Sequence, residues 1–154
     1  MIISKPPKYL KNTKGKSIFL AGSIEMGKAI DWQSKIQKAL KDYNVTIFNP
    51  RRDDWDSSWE QSIDNKEFKT QVTWELDHID KADIVVVYFD KDTQSPITLL
   101  ELGLGAAKYP EKFIVCCPDG FWRKGNVDIV CERYAVRQVD STEELIQVLE
   151  ILIQ

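Results

Sequence analysis

The chain is poor in the residues that hold metals or build covalent cross-links. It has three cysteines and one histidine in 154 residues. Cys116, Cys117 and Cys131 are odd in number and lack metal-ligand spacing, and two of them end an apolar run. They predict reduced core thiols, and they exclude a disulfide framework or a zinc site. His78 alone cannot build a histidine-rich metal centre. No zinc site and no histidine-rich metal site is therefore expected. Charge of one sign is also lacking: 21 Lys and Arg stand against 24 Asp and Glu, for a net charge of −3. No basic stripe runs through the chain, which excludes bulk nucleic-acid binding by counterion release. No apolar run reaches the ~20 residues that cross a bilayer, and the N-terminus lacks the apolar core of a signal peptide. A cytoplasmic protein with no membrane partner is expected. There is no internal repeat or low-complexity tract.

What is there is ordinary globular composition, 43% apolar and 29% charged, at a length suited to one core. Residues 1–15, rich in Lys, read as an extended arm or edge segment, and residues 16–154 as a single domain. Short apolar runs at 17–21, 45–48, 83–89, 112–117 and 136–139 read as strands. Between them lie helical patterns at 28–42, 65–81, from Pro96 onward, at 127–134 and after Ser141. Residues 51–59 and 121–126 read as loops. This alternation predicts a parallel sheet with right-handed crossovers. Five strands fit an α/β three-layer sandwich, flavodoxin-like, with strand order 2-1-3-4-5. The switch point then lies between the first and third strands, where ligands bind.

The stretch around Glu101 organises the chemistry. The run at 83–89 is short and unbroken, as a strand buried on both faces is. A loop carrying Asp90, Asp92, Gln94 and Ser95 leads into a helix with Pro96 in its first turn. Glu101 follows, a carboxylate near the mouth of the crevice. Two readings stay open. Glu101 is a reactive group, or it closes a capping box with Thr98. Helix phase puts Leu99, Leu102, Gly103 and Ala106 on the packed face and points Glu101 away from it. A second acid stands out at Glu75, among Phe68, Val72, Leu76 and Ile79 on the apolar face of the preceding helix. An unpaired carboxylate there is costly, so Glu75 has a buried partner or opens into a pocket.

Three further features have a functional and a bland reading side by side. The Gly22–Gly27 loop, with Ser23 and Ile24, joins a strand to a helix and either approaches an anion or simply turns the chain. Trp55, Trp59, Trp74, Phe121 and Trp122 either stack on a nucleobase or anchor the core. Arg51 and Arg52 either bind an anion or pair with Asp53 and Asp54.

Taken together, Ile18-Phe19-Leu20-Ala21-Gly22-Ser23-Ile24, then Glu75 with Ile79 and Ala82-Asp83-Ile84-Val85-Val86, then Ser95 six residues before Glu101-Leu102-Gly103 resemble the nucleoside 2-deoxyribosyltransferase superfamily, which includes nucleoside 5′-monophosphate N-glycosidases. The resemblance covers most of residues 16–140. It implies that Glu101 is a nucleophile forming a covalent glycosyl intermediate, with no metal or organic cofactor needed. It makes Glu75 the second carboxylate, orienting or protonating the base or sugar. It places Phe19, Gly22, Ser23, Ile24, Ser95, Thr98, Trp55 and Asn126 around a small-molecule nucleoside or nucleotide. It further implies a homodimer or higher homo-oligomer, with Asn126 near the position from which a neighbour completes the pocket. The chain departs from the pattern at Phe19, where Tyr is common, and at Pro96, Ile97 and Thr98, where glycines are usual. Ser95 stands where the transferases have Asp and the monophosphate glycosidases Ser. A non-catalytic nucleotide-binding domain, or cleavage of an NAD-type bond, remains an alternative.

Overall fold

Strands and helices alternate along the computed structural model, which describes residues 1–24 and 29–154. Glu25, Met26 and Gly27 of the expected glycine loop lie outside the described residues. The elements in order are β1 (Ile2–Ser4), β2 (Lys16–Gly22), α1 (Trp32–Ala39), β3 (Val45–Phe48), α2 (Lys66–Lys81), β4 (Ile84–Tyr88), α3 (Pro96–Lys108), β5 (Phe113–Cys116), α4 (Lys124–Tyr134), β6 (Arg137–Val139) and α5 (Thr142–Leu152). The sheet is parallel and runs β1-β3-β2-β4-β5-β6. Strands β2 to β6 have the expected order. The sixth comes from the N-terminal segment, where Ile2 pairs with Thr46 and Ser4 with Phe48 at the edge. Three residues are too few to show a period, which is why the sequence pattern revealed only an extended segment there. That segment is held further by the Trp74 indole, which donates to the Lys8 carbonyl at 2.8 Å.

Alternate side chains divide the core into two layers. Ile18, Leu20, Val86 and Ile114 face α1 and α5, with Trp32, Ile36, Leu145 and Leu149 packed on them. Phe19, Ala21, Val85, Val87 and Val115 face α2, α3 and α4, with Trp74, Leu102, Val127 and Cys131 on that side. β4 is buried along its whole length, as expected of a central strand covered on both faces. Cys116, Cys117 and Cys131 are free and buried. Burial pushes the Cys116 and Cys131 thiols up to about 12 and Cys117 to about 11, so they serve as small apolar groups.

The rotation of two helices differs from the sequence reading, and both differences bear on the site. On α3 the buried face is Thr98, Glu101, Leu102, Gly105 and Ala106, while Gly103 is exposed. Glu101 therefore points inward, not away from the packed face. The cause is Gly105. A Cβ there would sit 1.8 Å from the Phe113 ring, whereas one at Gly103 would meet nothing. The helix turns its true notch, Gly105, onto the sheet. On α2 the buried face is Gln71, Trp74, His78 and Ile79, and Leu76 is exposed. Large aromatics above β2 and β3 set this rotation: Trp74 packs on Phe19 and Phe48, and His78 on Phe48. α1 is shorter than expected because Asp31 caps it, accepting from the Ser34 N–H. α4 starts earlier, at Lys124, so Asn126 is helical and not in a loop.

The Gly105 contact yields a paired test by urea melting. Gly105→Ala is expected to lose about 1–3 kcal/mol through overpacking against Phe113. Gly103→Ala should be neutral or gain up to about 1 kcal/mol from helix propensity. Equal stability of the two variants would refute this account of how α3 is seated.

Candidate active site

The switch point lies between β2 and β4, whose C-terminal ends pair Ala21 with Val87 and Gly22 with Tyr88. Side chain and chain direction meet tightly there. A Cβ on Gly22 would stand 2.4 Å from the Tyr88 carbonyl oxygen, so only glycine lets the strand end approach so closely. The next residue, Ser23, is buried and donates its N–H to the Tyr88 carbonyl. Ser23 Oγ accepts from the Asp90 N–H at 2.8 Å and from Thr93 Oγ1 at 3.0 Å. Ser95 Oγ lies 2.5 Å from Ser23 Oγ and 2.7 Å from Thr93 Oγ1. The three buried hydroxyls thus form one cluster joining the ends of both strands. Asp90 ties the far wall, accepting from the Ile30 and Asp92 N–H groups. Ser95 has φ 48° and ψ 52°, a left-handed conformation that costs a non-glycine residue about 1–2 kcal/mol. That conformation precedes Pro96, the first residue of α3.

Glu101 lies in the second turn of α3 and is 8% exposed. The capping box is not formed. Thr98 is inside the helix, the N-cap is Ser95, and no side chain caps it. Among the described residues no hydrogen bond or ion pair engages the Glu101 carboxylate. Burial holds its carboxyl well above the usual carboxylate range, and the charge of Glu75 raises it further. Glu75, half-buried on α2, is raised by burial and partly restored by the Gln71 amide, which donates to its Oε1 at 2.7 Å. The charge of Glu75 on α2 thus reaches Glu101 on α3. Two carboxylates so placed favour a state with one proton between them.

The remaining residues fall into place unevenly. Phe19 is fully buried against Trp74, on the same side of the sheet as the acids. Thr98 is buried in the first turn of α3, and Ile24 is half-buried at the end of the described strand–loop segment. Trp55 packs edge-on to Trp59, with ring centroids 5.0 Å apart, and its buried Nε1 has no partner among the described residues. Arg52 is bidentate to Asp54, as the ion-pair reading had it, and its guanidinium lies 5.3 Å from the Trp59 ring centroid. Arg51 bonds the Ala29 and Ile30 carbonyls and Gln33, fastening the loop to α1. Asn126 is exposed on α4 and lines a groove of about 310 Å³ with Leu99, Leu102, Gly103, Arg123 and Val130. That groove is on the outer side of α3 and α4, and neither acid lines it. Among the described residues no three His, Cys, Asp or Glu side chains gather as a metal site requires, and no helix is long and apolar enough to cross a membrane.

Sequence reasoning passed over Thr93 and Gln71. Gln71 carried a signal, since it stands one helical turn before Glu75. Thr93 carried none beyond its place in the loop.

A family model described as nucleoside 2-deoxyribosyltransferase like matches residues 15–121. The match spans β2 to the loop after β5 and contains the hydroxyl cluster and both acids. No curated protein matches the chain.

The buried acid makes a stability prediction whose sign follows from linkage. A folded-state carboxyl raised above its unfolded value of about 4.3 keeps its proton after the unfolded chain has lost it. Stability is then fully present below that value and falls as pH rises through the folded one. Each unit of elevation is worth about 1.4 kcal/mol. Glu101→Gln should therefore melt at a higher temperature than the parent at pH 7, with the gap closing toward pH 4. A variant no more stable than the parent at pH 7 contradicts the burial of Glu101 beside Glu75.

Proposed function

The chain belongs to the nucleoside 2-deoxyribosyltransferase-like family, and from that premise we propose that it cleaves or transfers at the N-glycosidic bond of a (deoxy)nucleoside or its 5′-monophosphate. The observation that carries the reading is the pairing of a buried acid on α3, Glu101, with a half-buried one on α2, Glu75, on one side of the sheet. In the proposed reaction the Glu101 carboxylate bonds to the anomeric carbon as the bond to the base nitrogen breaks. A proton from the acid pair goes to the departing base. Water or an incoming base then attacks the glycosyl–Glu101 ester and releases the carboxylate. A carboxylate beside an oxocarbenium-like transition state stabilises it, as in retaining glycosidases. Glu75 orients or protonates the base or sugar from the facing helix. Burial of Glu101 strengthens its charge interactions as the transition state forms.

The other residues take supporting roles. Ser95, Ser23 and Thr98 face the sugar end of the crevice. Ser23 fills its lone pairs with the Asp90 N–H and Thr93, so it acts by holding Ser95. Phe19 closes the floor of the pocket, and Trp55 supplies an aromatic wall near the base. Gly22 and Ile24 bring the backbone close to the ligand.

Asn126 is the proposed contribution of a neighbouring subunit. α3 and α4 expose Leu100 at 68%, Ile129 at 67%, Ile97 and Leu104, and Asn126 lines a groove formed by the same two helices. A second copy covering these side chains would remove apolar surface from water. Sedimentation should give a dimer or larger assembly, and Leu100→Asp should shift it toward monomer. A monomeric parent at working concentration defeats this arrangement.

Incubation with a panel of nucleosides and 5′-monophosphates, with and without acceptor base, tests the activity. Base release is expected from at least one member. Glu101→Ala should abolish it, and Glu75→Gln should slow it by about 10²–10⁴-fold. Mass spectrometry of the quenched parent should find a glycosyl adduct on Glu101. Undiminished release by Glu101→Ala rules out the nucleophile, and nucleotide binding without turnover would favour a binding domain instead.

A further inference from the structure

A line of polar contacts runs inward from the surface to Glu75. Asp54 grips Arg52 with hydrogen bonds of 2.8 and 2.9 Å. Arg52 Nη1 donates to Gln71 Oε1 at 3.4 Å. Gln71 is 5% exposed. Its Nε2 donates to the Pro50 carbonyl at 3.3 Å and to Glu75 Oε1 at 2.7 Å. These partners leave the amide one orientation. A guanidinium only donates, so it must meet the amide oxygen; a carbonyl only accepts, so it must meet the NH2. The group presented to Glu75 is therefore a donor. A buried amide with an interchangeable end would otherwise adapt to either protonation state of its neighbour.

We propose that Gln71 is a positioning residue for the acid pair: locked between Arg52 and the Pro50 carbonyl, it holds Glu75 as the ionised, acceptor-only member and leaves the shared proton on Glu101. A donor to a carboxylate favours the charged form. Glu75 has such a donor, and among the described residues Glu101 has none. Among the described residues the charged or titratable groups acting on the pair are Glu75 on α2, Glu101 on α3 and, through Gln71, Arg52 on the loop after β3. Asp54 neutralises Arg52 from outside, so the loop acts through the directed hydrogen bond more than through net charge.

The catalytic meaning of this order rests on the glycosyl-transfer reading; the order itself does not. In the resting protein the nucleophile is masked by its proton. For reaction, that proton passes from Glu101 to Glu75 and on to the departing base nitrogen. One carbon–nitrogen bond breaks and one carbon–oxygen bond forms to the bared Glu101. Gln71 sets how readily the first transfer occurs, because it opposes protonation of Glu75.

Carboxyl NMR titration of the full chain, labelled with 13C at glutamate Cδ, tests the order without requiring activity. Glu75→Gln and Glu101→Gln assign the two resonances. In the parent, Glu75 should ionise first. In Gln71→Met its midpoint should rise by about one unit. If the protein turns over a nucleoside, the acid limb of kcat/KM should move up with it. A merely structural role would lower activity at every pH and leave both midpoints in place. Arg52→Gln frees the amide to turn and should raise the Glu75 midpoint by a smaller amount, which serves should Gln71→Met not fold. A folded variant of either kind whose Glu75 titrates as in the parent overturns the proposal. A shifted midpoint in a protein that cleaves no nucleoside upholds the role of Gln71 and fails only the proposed reaction.

Discussion

A buried carboxylate, Glu101, that feels the charge of a half-buried one, Glu75, cannot ionise cheaply beside it, and much of the architecture on one side of the sheet accommodates that fact. Glu101 reaches the buried space because α3 seats Gly105 against Phe113, which rotates residue 101 inward. Glu75 reaches it because Trp74 and His78 lock α2 over Phe19 and Phe48. Each helix is thus oriented by packing one turn away from its acid. The apolar contacts fix the rotation, and the acid is carried along with it. Because α2 and α3 stand on the same side of the sheet, as two consecutive right-handed crossovers on that side require, their inward faces converge.

Such a pair works against the stability of the fold. An ionised group without solvent is unfavourable, and here one of two must either hold a proton or bear that cost. In the opposite layer Ile18, Leu20, Trp32, Ile36, Val86, Leu145 and Leu149 pack together, although the buried Gln33 amide on α1 has no partner for its Nε2 among the described residues. Glu101 and the left-handed Ser95 lie within one stretch of α3 and its cap. Clustering of strain and buried charge is what a site looks like when the surrounding structure is firm enough to hold it.

The fold was legible in the sequence to the extent that periodicity and chain punctuation govern it. Strand runs such as 84–88, the Pro at the start of α3 and the alternation of elements give the sheet and its inner order. Rotation about a helix axis was less legible. On α3, Gly103 and Gly105 look alike in sequence, and only the position of Phe113 on β5 decides which one faces the sheet. On α2, Leu76 reads as core, yet it is exposed and the unremarked Gln71 is buried, its amide held by three partners. β1 escaped notice because a strand of three residues has no period of its own; its pairing with β3 defines it. Asn126 escaped its true setting because α4 starts without a side-chain cap, so no residue announced the helix.

The hydroxyl cluster shows how a crevice can be shaped before any ligand arrives. Ser23, Thr93 and Ser95 come from two loops, yet their oxygens lie within 3.0 Å of one another. Thr93 also reaches the Asp90 carbonyl at 2.8 Å. Contacts of this kind share few protons among many acceptors, so a change in one hydroxyl's role is felt by the others. The loop after β4 is consequently bound to the end of β2, and the first residue of α3 inherits its position from that bond. Pro96 removes one backbone donor from the helix start, but it also fixes the chain where the cluster needs Ser95 to stand. The direction of α3, and with it the depth at which Glu101 is buried, is thereby tied to three side-chain oxygens at the far end of the strand.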